Sequence, residues 1–175
     1  MWASKMEIWD LFTKDGQPTG KQHRRGDPLP AGFYHPGVHV WIRNSKGQYL
    51  MSQRAADRPT FPLKWECVGG SMLAGEDALT GAIREVQEEL GITLDPNQGT
   101  LLFTEARDVV AGVPFYDYMY FWLFRYDGDF SLEDASTQEV AQAKWMTVEE
   151  ILKFQNEGKL APPLTYFFSK VHNKG

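Results

Sequence analysis

The stretch from Gly70 to Ile92 reads GSMLAGEDALTGAIREVQEELGI, and it is the part of the chain that decides the fold. Apolar residues at positions 79, 83, 86 and 90 recur at steps of four and three, which is the spacing of one face of an α-helix. Gly91 directly follows the last of them and predicts the end of the helix. We therefore expect a helix over residues 77–90, preceded by a glycine-containing loop.

Three glutamates, Glu85, Glu88 and Glu89, are predicted to lie on the side of this helix opposite the apolar face. Acidic residues in that position usually form a solvated helix surface, but local rules oppose this cluster. Glu85 and Glu89 are like charges one turn apart, all three lie where the helix dipole disfavours negative charge, and no Lys or Arg follows at the next turn. A divalent cation would compensate the charge, and carboxylates without thiols or several imidazoles suit Mg²⁺, with Mn²⁺ as a second choice.

The same residues resemble a known family. The pattern G-x5-E-x7-R-E-U-x-E-E-x-G-U, with U a bulky aliphatic residue, is similar to the signature of the Nudix hydrolases, and it is matched without departure at Gly70, Glu76, Arg84, Glu85, Val86, Glu88, Glu89, Gly91 and Ile92. The resemblance places the Nudix box at residues 70–92. It implies a Nudix αβα sandwich, with a mixed β-sheet between helices, and a metal-dependent enzyme that hydrolyses diphosphate bonds.

Length and composition predict a single domain over residues 1–175. The net charge of −5 and the absence of a long basic run argue against nucleic-acid binding, and no apolar stretch reaches the ~20 residues of a membrane span. Residues 1–5 do not read as a signal peptide, because charged residues follow at once. Cys67 is the single cysteine, which indicates a reducing, cytoplasmic setting. The partner is expected to be a small-molecule diphosphate, with the protein a monomer or homodimer.

Strand patterns surround the central helix and predict an α+β fold. A β-hairpin and linker are expected over residues 6–37, outside the core that the resemblance covers most firmly. Gly69 and Gly70 are expected to let the chain turn tightly and to let a backbone carbonyl or a phosphate come close. Further strands are predicted at 38–43, 48–54, 65–68, 101–109, 115–125 and 140–146, with helices from Thr147 to Phe154 and from Pro162 to Val171.

The N-terminal segment narrows the resemblance to the Nudix branch that includes type 1 isopentenyl-diphosphate isomerase. That enzyme needs a Cys-Gly-His where this chain has Val68-Gly69-Gly70, and Cys67 lies one residue early. Its Glu-x-Glu would fall near Asp117, where one acid is present, although His35 falls where the isomerase keeps a metal-binding histidine. The hydrolase signature is complete, so hydrolysis is favoured over isomerisation.

The resemblance assigns roles to the box residues. Glu85, Glu88, Glu89 and the Gly70 carbonyl are predicted to hold the metal, and Arg84 to orient the glutamates. Relatives differ in the position of the general base. Glu85 is one candidate, and Glu139, an acid six residues before Trp145, is the other.

Substrate specificity is read by residues outside the box. Arginines and aromatic residues are candidates for phosphate clamps or stacking platforms: Trp9, Arg24, Arg25, Arg54, Arg58, Tyr116 and Tyr118. The sequence predicts a nucleoside diphosphate linked to another group, or another organic diphosphate, without choosing between them. An allylic diphosphate isomerase and a catalytically silent ligand-sensing module remain alternatives.

Overall fold

The computed structural model describes residues 6–174 of the chain, so the expectation about residues 1–5 lies outside the described part. The strands of the N-terminal hairpin, β1 (Ile8–Phe12) and β2 (Pro18–Arg24), form a separate two-stranded antiparallel sheet. The remaining strands form a seven-stranded sheet. They are β3 (His35–Arg43), β4 (Tyr49–Arg54), β5 (Trp65–Glu66), β6 (Val68–Ser71), β7 (Gly99–Val110), β8 (Val113–Arg125) and β9 (Val140–Met146).

The large sheet is mixed, as the sequence predicts. Its main path runs β5-β4-β3-β8-β7, with β6 paired to β3 and β9 paired to β4. Strands β3 and β8 are parallel, and the other pairs are antiparallel. The α+β prediction and the sandwich architecture are therefore confirmed.

Helices cover both faces of the large sheet. Helix α1 (Ala78–Leu90) packs Ala82, Val86 and Leu90 against the β3 residues Val38 and Val40. On the other face, helix α2 (Val148–Asn156) and the C-terminal segment cover a core that includes Trp41, Tyr49 and Phe167. None of the helices described in residues 6–174 is long and apolar enough to cross a membrane.

Helix α1 begins and ends where the sequence predicts. Asp77 caps the N-terminus by accepting a hydrogen bond from the Thr80 backbone nitrogen at 2.7 Å. Gly91 adopts a left-handed conformation with φ of 68° and ends the helix, a geometry that favours glycine. The capping box at Thr147 and Glu150 is also present at the start of α2.

Two predictions about local structure are wrong. Gly69 and Gly70 do not make a tight turn, because Val68–Ser71 is a strand that pairs with β3. The predicted helix at 162–171 is instead a short 3-10 turn at Pro162–Leu164 and a single π-helical turn at Phe167–Val171. Leu164, Phe167 and Val171 of this segment are buried in the core on that face of the sheet, so tertiary packing holds the irregular backbone.

The N-terminal hairpin is tied to the loop that precedes α1. The Ala74 backbone nitrogen donates to the Ile8 carbonyl at 2.8 Å, and the Gly75 backbone nitrogen donates to the Asp10 carboxylate at 2.7 Å. Strand β1 also packs against β3. The segment that precedes the shared core therefore helps to fix the loop that leads into the acidic helix.

Candidate active site

Arg84 lies at the centre of a hydrogen-bond network on α1. Its guanidinium donates to the Glu76 carboxylate at 2.6 and 3.0 Å, to Glu85 at 3.0 Å, to Glu88 at 3.2 Å and to the Ser71 carbonyl at 2.9 Å. Burial alone would lower the pKa of Arg84, but the hydrogen bond to Glu76 and the charge of Glu85 raise it above its ordinary value. Arg84 is therefore a fixed cation that joins the helix to the preceding strand.

Gly70 makes room for the first of the three box carboxylates, as we name Glu85, Glu88 and Glu89. A Cβ atom at Gly70 would lie 2.2 Å from the Glu85 carboxylate carbon, so a side chain at this position would displace Glu85. The same absence of a side chain at Gly37 lets the Gly70 carbonyl approach β3. The group that comes close to Gly70 is therefore the Glu85 carboxylate, where the sequence predicted a backbone carbonyl or a phosphate, and the approach occurs in a strand instead of a turn.

Glu85 and Glu89 are not part of a solvated helix surface. The Glu85 side chain is 12% exposed, and Glu89 is 5% exposed. Burial raises the pKa of Glu85 to about 7, against the lowering effect of Arg84. Burial also raises the pKa of Glu89 well above its ordinary value, and the negative charges of Glu85, Glu66 and Glu139 raise it further. Within residues 6–174, the Glu89 carboxylate has no hydrogen bond and no ion pair.

Two further carboxylates face the box from outside the helix. Glu139, just before β9, contributes to the raised pKa of both Glu85 and Glu89 and contacts Arg58 at 3.2 Å. Glu66, on β5, contributes to the raised pKa of Glu89 and accepts a hydrogen bond from Arg54 at 2.8 Å. Sequence reasoning missed Glu66. The sequence feature that could have identified Glu66 is its place between Trp65 and Cys67. Because side chains alternate along a strand, Glu66 points to the opposite face from those two residues.

The box carboxylates fit a hard divalent cation in donor type and in charge. They offer oxygen ligands, and a bound cation would stabilise the ionised form of Glu89, which burial and the neighbouring acids disfavour. In residues 6–174, however, no three Asp, Glu, His or Cys side chains are already arranged to hold a metal ion. Arg84 contacts both Glu85 and Glu88, so cation binding requires these side chains to adjust.

A cleft of about 220 Å³ opens beside the box and crosses the end of the sheet. It borders Glu66 and the strand Gly69–Ser71 next to α1, and it extends to Arg107 and Asp117 on β7 and β8. Apolar side chains also line it, among them Phe61, Phe115, Met119, Pro163 and Leu164. A ligand in this cleft can contact both β6, which lies next to Glu85, and the Arg107 and Asp117 side chains on β7 and β8.

The structure brings only two of the predicted substrate-binding residues to the cleft, Arg25 and Arg54. Arg58 contacts Glu139, and Arg24 is exposed on β2. The two tyrosines of the set lie elsewhere: Tyr116 is 43% exposed with φ of 47°, and the Tyr118 hydroxyl lies 2.9 Å from the Thr104 hydroxyl. Their roles in binding stay predictions.

Three residues from neighbouring strands form the far wall of the cleft. His35 on β3, Asp117 on β8 and Arg107 on β7 are cross-strand neighbours in one row. The Trp9 ring stacks on His35 with 4.3 Å between centroids, so Trp9 supports the wall and does not border the cleft. Sequence reasoning did not assign Arg107 or Asp117 to the site. A charged residue in the aromatic run Phe115–Tyr120 is the signal that could have identified Asp117.

A model of the NUDIX domain matches residues 33–167 of the chain. The chain belongs to the Nudix family. It is 37% identical over 164 residues to an uncharacterized Nudix hydrolase of Listeria monocytogenes, across 93% of this chain and 91% of that protein. It is 30% identical over 87 residues to isopentenyl-diphosphate Delta-isomerase of Shigella flexneri, across 49% of this chain and 48% of the isomerase.

Among solved structures, a Deinococcus radiodurans protein has a similar fold, with a TM-score of 0.73 and 22% identity across 96% of this chain and 98% of the other. Its coverage extends beyond the domain match at residues 33–167. The predicted Nudix fold and the relation to the isomerase branch are confirmed.

Proposed function

We propose that this protein is a Mg²⁺-dependent hydrolase, with Mn²⁺ able to substitute, that cleaves a diphosphate linkage by attack of water on phosphorus. The substrate is a nucleoside diphosphate linked to another group, or another organic diphosphate. The observation that supports this best is the Glu89 carboxyl group, which is buried near Glu85, Glu66 and Glu139 and has no ion pair within residues 6–174. Of these acids, Glu66 lines the cleft of about 220 Å³.

Glu85, Glu88 and Glu89 would hold the cation, together with the Gly70 carbonyl. A bound Mg²⁺ supplies neutralisation of the phosphate oxygens and activation of water for attack. Arg84 positions the carboxylates, because its hydrogen bonds to Glu76, Glu85, Glu88 and Ser71 leave the guanidinium little freedom to bind substrate.

Glu139 is the general base in this proposal. Each candidate contacts one arginine, but the Glu139 side chain is 37% exposed and can reach solvent, whereas Glu85 is 12% exposed. Glu139→Gln should lower kcat by roughly a hundredfold or more with little change in KM, because proton transfer is lost while binding is kept. The measurement is steady-state kinetics of Glu139→Gln beside the control Glu133→Gln, which neutralises an exposed glutamate and should keep the wild-type kcat.

Wild-type kcat in Glu139→Gln would reject this assignment. Glu85, the other candidate from the sequence, would then be left as the base. A thermal melt of both variants separates a lost base from a lost fold.

The isomerase alternative has one observation in its favour, the partial similarity to isopentenyl-diphosphate Delta-isomerase. Two groups that the isomerase would need, a reactive thiol and a free acid beside His35, are not available in the structure within residues 6–174. The Cys67 thiol is buried, and burial raises its pKa well above the ordinary value, which disfavours a reactive thiolate. Asp117 is paired with Arg107 instead of standing free beside His35.

The deciding experiment is an incubation with Mg²⁺ and a panel of nucleotide sugars, dinucleotides, nucleoside triphosphates and isopentenyl diphosphate, with identification of the products. We expect hydrolysis of at least one diphosphate linkage. Isomerised product without phosphate release would establish the isomerase, and no turnover of any compound would favour a ligand-sensing module. Cys67 is buried and has no disulfide partner, which fits a reducing compartment, so we assign the protein to the cytoplasm.

Glu89→Gln should abolish turnover by removing a metal ligand, with a loss of roughly a hundredfold or more. The fold should be kept, because a neutral amide replaces a buried charge of similar shape. Glu149→Gln, an exposed glutamate of α2, is the matched control and should retain activity. Unchanged turnover in Glu89→Gln would refute the metal assignment.

A further inference from the structure

We call the far wall of the cleft, together with Arg25, the inner end of the cleft; it therefore consists of Arg25, His35, Arg107 and Asp117. This region is built differently from the box. Arg107 and Asp117 form a bidentate ion pair at 2.9 and 2.7 Å. Their side chains are 8% and 3% exposed. Removing two charges from water is costly, so a buried pair of this kind is weak evidence for a purely stabilising role, and its position in the lining of the cleft makes it a candidate for a functional one.

Every arginine that borders the cleft is already paired with a carboxylate. Arg25 contacts Glu7 at 2.9 Å, Arg54 contacts Glu66 at 2.8 Å, and Arg107 contacts Asp117 at 2.7 Å. These three pairs therefore contribute no net charge to the walls.

The histidines of the cleft add no positive charge at neutral pH. Burial lowers the pKa of His35, and it lowers the pKa of His39 well below its ordinary value. An anionic group that entered the inner end would lose its hydration and find each arginine already bound to a carboxylate.

The inner end nevertheless offers directional hydrogen bonding, and the apolar side chains of Phe115 and Met119 also line the cleft. The Arg107–Asp117 pair uses Nε and Nη2 of the guanidinium, which leaves the Nη1 amino group as a donor outside the pair. The Asp117 oxygens are acceptors next to it. The Arg107 guanidinium lies over the Phe115 ring at 4.8 Å, which fixes the plane of the donors.

We propose that the inner end of the cleft binds an uncharged, ring-bearing polar group of the diphosphate substrate, a sugar or a nucleobase, and selects against substrates that carry an additional phosphate or carboxylate there. The proposal rests on the proposed function, because it names the moiety attached to the diphosphate. Arg107 and Asp117 are the specificity-determining residues, and Arg25, carried by the N-terminal hairpin, closes the wall beside them.

The test uses two matched pairs of compounds that differ by an anionic group. UDP-glucose and UDP-glucuronate differ in charge on the sugar, and NADH and NADPH differ by a phosphate on the nucleoside. Kd is measured by calorimetry on the full chain with Ca²⁺ in place of Mg²⁺ to suppress turnover. We expect the member that lacks the additional anionic group to bind at least about tenfold more tightly in at least one pair.

The inference would be overturned by equal affinities within both pairs, by tighter binding of the members that carry the additional anionic group, or by no binding of any of the four compounds. Binding does not need catalysis, so failure of this test is distinct from failure of the proposed function, which is judged by products from the Mg²⁺ panel. A protein can pass either test and fail the other.

Variants that remove one carboxylate of an ion pair test whether charge balance sets the affinity ratio. Glu7→Gln leaves Arg25 unpaired on a half-exposed side chain, where the fold is not at risk, and should shift the affinity ratio toward the charged compound by several-fold. Asp117→Asn leaves Arg107 unpaired and should shift the ratio further, provided that a thermal melt shows a folded protein. The conservative variant Asp117→Glu keeps the negative charge beside Arg107, so it should keep a ratio close to that of the wild type.

Asp108→Asn is the matched control. It removes a carboxylate that pairs with the exposed Lys14 and does not border the cleft, so the affinity ratio should equal that of the wild type. Ratios that stay at the wild-type value in both Glu7→Gln and Asp117→Asn, or that change as much in Asp108→Asn, would refute the role of charge balance.

Discussion

The box carboxylates and the inner end of the cleft manage charge in opposite ways. Glu89 is buried with no ion pair among the described residues, and Glu85 shares one arginine with two other glutamates. At the inner end, Arg107 and Asp117 neutralise each other. One region therefore favours arrival of a cation, and the other favours an uncharged polar group. Variants that remove one charged group from each region should therefore differ in their effect on the free energy of unfolding.

The largest effect is expected from Arg107→Met. The variant leaves Asp117 buried without its partner, which should lower the free energy of unfolding by about 3–5 kcal/mol in a urea titration. The double variant Arg107→Met/Asp117→Leu should recover most of that loss, because it leaves no buried charge. Glu89→Gln should leave stability unchanged or increased. A loss below about 1 kcal/mol in Arg107→Met would show that the pair is not desolvated as its burial indicates.

The pH dependence of stability tests the box carboxylates next. The pKa of Glu85 is about 7 in the folded protein against an ordinary value of 4.5, so the folded state binds more protons between these values. The contribution of Glu85 to stability is therefore fully present below about pH 4.5 and is lost as the pH rises through about 7. The total change is up to about 3 kcal/mol.

The measurement is urea unfolding across this pH range in metal-free buffer, for the wild type and Glu85→Gln. The downward slope should be smaller in the variant, where Glu89 still has a raised pKa, and Glu149→Gln should keep the wild-type slope. Addition of Mg²⁺ at neutral pH should restore stability to the wild type, because a cation favours the ionised carboxylates. Parallel curves for the wild type and Glu85→Gln would contradict the raised pKa.

The smallest effect is expected from Gly70→Ala. The new Cβ would meet the Glu85 carboxylate at 2.2 Å, so we expect a loss of about 1–3 kcal/mol and a fall in turnover as Glu85 moves. Gly69→Ala is the matched control, because its Cβ would meet the end of the His39 ring at 3.1 Å. Equal losses of turnover in the two variants would indicate a general disturbance of β6 instead of displacement of Glu85.

The parts of the site that were predictable are those encoded within a short segment. The α1 helix follows from local apolar spacing, and the contact of Arg84 with Glu88 follows from helical geometry. Glu66 and the Arg107–Asp117 pair were not predicted, because their neighbours come from other strands and pairing register is a tertiary property. The strand at Gly69 and Gly70 was missed for the same reason, since its partner β3 lies well before it in the chain.

The sequence by itself determined the helix with its crowded glutamates, most of the strands in their order along the chain, and the family. These depend on residue spacing along one segment or on a motif, and both can be read without knowing what packs against them. Only the tertiary structure decided that Glu89 is buried, that each arginine of the cleft is already paired, and that His35, Asp117 and Arg107 form one row. Burial and ion pairing depend on which distant segments meet, and that is fixed when the sheet assembles.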